Sequence, residues 1–399
     1  MASASARAEA LQIASDITLS LSGEREQALS EAARTTALHA ATKLVTCLEK
    51  PADGMLKLAY SPAVWMSIRT CVQLGVFSML PDQAEISAEE IAQRTGANET
   101  LIKRLLRVLT AGGYVAEKGD GLYGATAWTT HLQQRTTEGM VRFIYDLFMP
   151  LFSGLPKWLE STGYSNPSDP SRGIFQASFN CEGEGLFPWL AKPENEDIWN
   201  NANTFFEGDR GSRPSWVTWF PIKEKLIDGT ISKYPLLVDI AGGRGHDITE
   251  FQQQFPDQAG RLILQDQQQV LDSANSLSSR IEKRSIDFFT QSPIQDARIY
   301  FMKFIMHDYS DEDCIRILRN VTTAMKPEYS YLVINDFIIP GVGCSLLPAQ
   351  WDLMMLVSLS AMERTESQWT TLLESAGLHI EGFYQPLGDG QGIIVATLK

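Results

Sequence analysis

Hydrophobic positions fall into three regimes along this 399-residue chain. Up to about residue 58, apolar and small residues recur at helical spacing, as at Leu29, Ala33, Thr36, Ala40 and Leu44, and predict helices rich in Ala, Glu and Leu. Another apolar helix is predicted from Trp65 to Leu80. Ser87 then caps a helix, with Glu90 three residues later, and a further helix runs from Asn98 to Leu109. Gly112-Gly113-Tyr114-Val115, a polar turn and Gly121-Leu122-Tyr123 read as a small hairpin, so the stretch has winged-helix grammar. Aromatic residues crowd between 127 and 225, among them Phe143, Phe152, Trp189, Phe205 and Trp219, around a loop predicted over Gly163 to Gly173. Such density either fills the joint between two domains or walls a pocket for a flat apolar ligand. Beyond about 226, short apolar runs at 236–240, 261–265, 299–304, 331–336 and 392–397 alternate with helical segments. That alternation predicts an α/β fold with a mostly parallel sheet covered on both faces. The expected divisions are 1–125 (helical, with the winged helix), 126–225 (helical linker or substrate lid) and 226–399 (the sheet domain).

Charge narrows the partners. The net charge of −14 opposes phosphate binding. In the winged-helix stretch, Arg94, Lys103, Arg104, Arg107 and Lys118 are balanced by Glu89, Glu90, Glu99, Glu117 and Asp120, which leaves no basic footprint for nucleic acid. A scaffold or dimer role fits better, with a small molecule as the ligand. The five cysteines, Cys47, Cys71, Cys181, Cys314 and Cys344, have no metal-ligand spacing and suggest neither disulfides nor a zinc site. The N-terminus lacks the apolar core of a signal peptide, and no run approaches a membrane span, so a cytoplasmic protein is expected.

The most informative stretch is Leu236-Leu237-Val238-Asp239-Ile240-Ala241-Gly242-Gly243-Arg244-Gly245-His246. A strand entering a glycine-rich turn before a helix lets backbone approach a nucleotide-like ligand where a Cβ would collide. The spacing fits the D-x-G-G-G-x-G turn of S-adenosylmethionine-binding enzymes better than the dinucleotide fingerprint. Asp266, closing the next strand, can accept both hydrogen bonds of a ribose diol. The alternative is a tight strand–helix turn without a ligand. His307 follows the strand that ends at Lys303-Phe304 and precedes Asp308, near the ligand-bearing sheet edge, where a histidine can serve as general base; a helix-cap or surface role is the alternative. Asp336 and Glu363 are the carboxylates that could orient it, against local roles as a strand-end acid and as a partner of Arg364 or a helix cap. Asp287 and Phe288 suit an adenine amine and ring, or else form a loop acid and a core aromatic. His131 and Arg210 are the cations expected to reach a substrate pocket, a guanidinium there polarising a carbonyl; Arg210 could equally pair with Asp209 or Glu207.

Four segments, Asp239 to Gly245, Leu264-Gln265-Asp266, Lys303 to Glu312 and Glu363-Arg364-Thr365, give the chain a specific likeness. It resembles fungal members of the plant-type O-methyltransferase family from the Val64–Leu80 helix to the C-terminus. The resemblance implies an N-terminal dimerisation and winged-helix domain, a helical lid, a C-terminal Rossmann-like domain, a homodimer, and S-adenosylmethionine as cofactor. Carried onto this sequence, Asp239, Gly242, Gly243 and Gly245 line the cofactor. Asp266 with Gln267 holds the ribose, Asp287 and Phe288 hold the adenine, and Lys303 lies close by. His307 corresponds to the catalytic base beside Asp308, with Asp336 and Glu363 as supporting acids; Asp336 stands where many plant members have Glu. The implied reaction is in-line methyl transfer to a phenolic or enolic aromatic or polyketide-derived acceptor. Gly208-Asp209-Arg210-Gly211-Ser212-Arg213 and His131 depart from that pattern. They resemble instead a subgroup of fungal pericyclases on the same fold, which bind S-adenosylmethionine and polarise a pyridone-type substrate without methyl transfer, here through His131, Arg210 and His307.

Overall fold

A computed structural model describes residues 4–22, 29–208, 213–258 and 260–399. The chain forms two compact units, one ending at Gln134 and the other beginning at Arg135. The first carries helices Ala4–Leu21, Glu31–Leu48, Pro51–Tyr60 and Pro62–Gln73. The helix expected to reach Leu80 stops at Gln73, because Gly75 turns left-handed (φ 67°) before a short 3-10 turn at Phe77–Met79. Helices Ala88–Thr95 and Glu99–Ala111 follow, capped by Ser87 and Asn98. Three short strands, Ile86–Ser87, Leu122–Gly124 and Ala116–Gly119, pair antiparallel in that spatial order and complete the winged helix.

The second unit is built on a seven-stranded sheet: β1 (Leu237–Ile240), β2 (Leu262–Asp266), β3 (Ile281–Ser285), β4 (Ile299–Lys303), β5 (Tyr331–Asn335), β6 (Leu378–Tyr384) and β7 (Ile393–Leu398). The spatial order is β3-β2-β1-β4-β5-β7-β6, with β7 antiparallel to both neighbours. Order reverses between β1 and β4, the crevice where ligands settle in such sheets. Residues alternate between the two covered faces. Val238, Ile240, Ile263, Tyr300, Met302, Leu332 and Ile334 pack with Ile317, Leu318, Val321 and Trp369 from helices Asp311–Ala324 and Glu366–Ser375. Leu237, Leu262, Leu264, Phe301 and Val333 face Trp216, Leu226, Ile248 and Phe251.

The sequence runs located the five inner strands and missed both edges. Ile281-Glu-Lys-Arg-Ser285 buries only its first residue, and Leu378–Tyr384 carries a register irregularity between Ile380 and Gly382. Charged and bulged strands are how sheets protect their edges. The aromatic-rich segment forms a third core in this unit: Phe143, Phe148, Phe175, Trp189 and Phe205 are buried together with Phe337 and Trp351. Among the described residues no helix is long and apolar enough to cross a membrane, and no cluster of His, Cys, Asp and Glu could hold a metal ion.

Candidate active site

The end of β1 is a strained turn. Ala241, Gly243 and Gly245 are all left-handed (φ 57°, 60° and 81°). Ala241 N–H donates to the Gln265 carbonyl (2.7 Å), and Gly245 caps the helix His246–Gln254. Two glycines are required by packing: a Cβ on Gly242 would lie 2.4 Å from the Asp239 carboxylate, and one on Gly245 would lie 2.6 Å from Leu277. Gly243 differs, since a Cβ there would meet nothing within 4 Å. Its N–H donates to Asp266 Oδ2 (2.8 Å), while Oδ1 accepts from the Gln267 N–H (2.7 Å). The last residue of β2 thus braces the turn after β1.

Behind the turn lies concentrated negative charge. Asp239 is buried, and burial with the neighbouring Asp247 and Asp266 raises its carboxyl well above the usual range, against the pull of Lys303. Burial also raises Asp266. Lys303 Nζ reaches both oxygens of Asp247 at 3.3 Å. Asp287 is exposed beyond β3 and already bridges its own loop, accepting from the Phe289 N–H (3.0 Å) and the Thr290 hydroxyl (2.8 Å). Phe288 packs edge-on against Tyr309, with centroids 6.0 Å apart.

The second cluster lies beyond β4 and β5. Their register pairs Lys303 with Asn335, which sets Phe304 beside Asp336. Phe304, left-handed at φ 53°, donates its N–H to Asp336 Oδ1 (2.7 Å). A bulky residue in that region is a backbone outlier of the kind that accumulates at functional sites. Its ring stacks on the His307 imidazole at 5.0 Å and on Trp351 at 5.5 Å. His307, in the 3-10 turn Met306–Asp308, is buried, with Nδ1 2.6 Å from Glu363 Oε1 and Nε2 3.4 Å from Asp308 Oδ1. Burial opposes the imidazolium, but Glu363, Asp308 and Asp336 outweigh it and raise His307 to about 10. Burial pushes Asp308 up to about 7 and Asp336 up to about 6. Asp308 and Asp336 are thus held back from ionising beside the raised His307.

The sequence matches the signature of an O-methyltransferase domain over residues 219–379 and that of an O-methyltransferase dimerisation domain over 56–134. O-methyltransferase penC of Penicillium thymicola is 32% identical over 368 residues, 92% of each chain. The chain belongs to the O-methyltransferase family. O-methyltransferase mpaG of Penicillium brevicompactum is likewise 32% identical, over 89% of this chain and 90% of its own. A solved structure of LepI in complex with SAM superposes with a TM-score of 0.88 at 29% identity, covering 98% of this chain and all of that one. OxaC in complex with SAH and oxaline gives 0.84 at 27%, covering 99% and 100%.

Within this O-methyltransferase fold the structure gathers His307, Asp308, Asp336 and Glu363 in one cluster, and Asp239, Gly242, Gly243, Gly245, Asp266 and Lys303 around the turn. His131 is an exposed residue of the helix Ala127–Leu132 in the first unit. Arg210 lies outside the described residues. Sequence reasoning missed Arg364. Its buried guanidinium does not pair with Glu363; it binds Asp311 (2.9 Å) and the carbonyls of Met306 (2.7 Å) and Tyr309 (2.9 Å), clamping the turn that bears His307. A two-stranded parallel ladder, Ile338–Ile339 with Arg364–Thr365, holds Glu363 level with the end of β5. Asp352 accepts the Glu363 N–H (2.8 Å) and fixes that backbone from a third element. The signal available in the sequence was an arginine placed directly after the supporting acid.

Proposed function

We propose that this chain is an S-adenosylmethionine-dependent O-methyltransferase of a phenolic or enolic secondary metabolite, with His307 as general base. The observation that carries the base assignment is the 2.6 Å contact between His307 Nδ1 and the buried Glu363 carboxylate. With Nδ1–H donated to Glu363, the neutral imidazole, whose share grows as pH approaches about 10, has its Nε2 lone pair for a hydroxyl proton. Glu363 and Asp336 then stabilise the imidazolium that forms. Phe304 holds the ring plane, and with Phe337 and Trp351 it excludes water from that side.

The turn suits the cofactor on its own evidence. Gly243 presents open backbone, Asp266 ends β2 beside it, and the buried Asp239 keeps Oδ2 without a hydrogen-bond partner. Three carboxyl groups against one lysine crowd this end of the sheet, and a ligand with sulfonium and ammonium charges favours their ionised forms. When bound, S-adenosylmethionine supplies an electrophilic methyl group on positive sulfur. Asp287 and Phe288 stand at the adenine end, Gln267 beside the ribose acid. The dimerisation signature supports a homodimer, and a cytoplasmic location is proposed with it.

A second reading rests on the raised basicity of His307. An imidazolium ringed by carboxylates is suited to polarise a carbonyl, and a solved structure described as a pericyclic reaction enzyme superposes with a TM-score of 0.88 at 29% identity. In that reading the chain catalyses a dehydration or a pericyclic step (Diels–Alder, hetero-Diels–Alder or Alder-ene) on a polyketide-derived pyridone, using His307 without methyl transfer. Incubation with methyl-labelled S-adenosylmethionine and a panel of phenolic, enolic and pyridone acceptors separates the two. Label in the product with stoichiometric S-adenosylhomocysteine supports methyl transfer; product formed without either overturns it in favour of the second reading.

A further inference from the structure

One carboxylate joins the helical layer to the glycine turn. Glu207 is the penultimate residue of the helix Glu196–Gly208 and is nearly buried, its side chain 11% exposed. One of its oxygens binds Arg244 and the other binds Arg135. Arg244 sits inside the turn, between the left-handed Gly243 and Gly245, and its Nε also reaches Ser273 Oγ (3.3 Å) on the helix after β2. Arg135 opens the helix Arg135–Phe143 and donates to Thr204 Oγ1 (3.2 Å). These two helices are locked by close approach, since a Cβ on Gly139 would lie 2.8 Å from Thr204.

The turn is therefore gripped from both sides. Asp266 holds its backbone at Gly243, and Glu207 holds its side chain one residue later. Two glycines with φ near 60° and 81° have no Cβ to restrict them, so these grips add order to that given by the Gly245 N–H bond to the Gly242 carbonyl (2.9 Å). A loop ordered before its ligand arrives does not spend binding energy on ordering. We propose that Glu207 is a positioning residue for the cofactor: through Arg244 it fixes the glycine turn in its ligand-ready form and ties the aromatic helical layer to it. The inference rests on the turn being the cofactor site.

Calorimetric titration of the full-length protein with S-adenosylhomocysteine tests it. Glu207→Gln and Arg244→Gln are each expected to weaken binding about 10-fold. The double variant is expected to bind no worse than the weaker of the two singles, because the Glu207–Arg244 contact is already lost in each. Arg244→Lys, which keeps the charge but not the fork, is expected to fall between. The thermal midpoint of the unliganded protein is expected to stay close to that of the unaltered chain. Singles that bind within about two-fold of the unaltered protein, or losses that multiply in the double, overturn the role of Glu207. Failure of the unaltered protein to bind at all would instead remove the cofactor reading on which it rests.

Discussion

The glycine turn and the imidazole cluster stand at the ends of adjacent strands but are assembled in opposite ways. The turn is made mostly from backbone, and its partners lie close in sequence: Gly243 and Asp266 are 23 residues apart. The cluster is made from side chains, and His307 and Glu363 are separated by 56 residues. One site depends on where a Cβ is absent; the other depends on three elements arriving in register. Damage to the first should appear as lost cofactor affinity or lost packing. Damage to the second should appear as lost turnover with the cofactor still bound.

The largest expected effect is at His307. His307→Ala is expected to reduce turnover by about 10³-fold while calorimetry finds cofactor affinity nearly unchanged; equal losses in both would merge the two sites into one. Arg364→Ala comes next. It orphans the Met306 and Tyr309 carbonyls that its buried guanidinium holds on either side of His307, its charge partner Asp311 being largely exposed, and is expected to cost about 2–4 kcal/mol of stability in denaturant titration. Substitutions at two glycines act on the turn instead. Gly242→Ala drives a Cβ to 2.4 Å from Asp239 and 2.6 Å from Leu264, and is expected to destabilise the unliganded fold by about 1–3 kcal/mol. Gly243→Ala meets only open space and costs about 1 kcal/mol for its positive φ, so its lost cofactor affinity should exceed its lost stability. The gentlest probe is pH. A base must be neutral, and His307 is raised to about 10. Activity should therefore climb, about tenfold per pH unit, towards that value, and Glu363→Gln should move the rise to lower pH. Activity that falls over the same range would mark His307 as an imidazolium polariser. The same raised affinity stabilises the fold below the ordinary histidine value of 6.5 and is lost as pH rises through about 10, so thermal midpoints should decline across that window.

Much of this architecture was legible from periodicity. Inner strands announce themselves because both faces are buried, as in Leu237–Ile240 and Ile299–Lys303. The edge strands β3 and β6 were silent for the converse reason: each buries only its first residue fully, and the rest carries charge or a bulge. Asp287 illustrates a local competitor, its carboxylate engaged by the loop it belongs to. Arg364 shows what a neighbour in sequence conceals. It adjoins Glu363 along the chain, yet it points into the turn that carries His307.

The sheet's inner strands, the glycine turn, the acid that closes β2 and the family to which these belong were legible in the amino-acid order, because each is written in a few consecutive residues whose spacing and side-chain size leave little choice. Tertiary structure alone decided that Phe304 stacks on His307, that Arg364 clamps the turn bearing His307, and that Glu207 grips Arg244. Those contacts depend on strand register and helix packing between segments far apart in the chain, and a charged side chain gives no sign in sequence of which distant partner its burial will require.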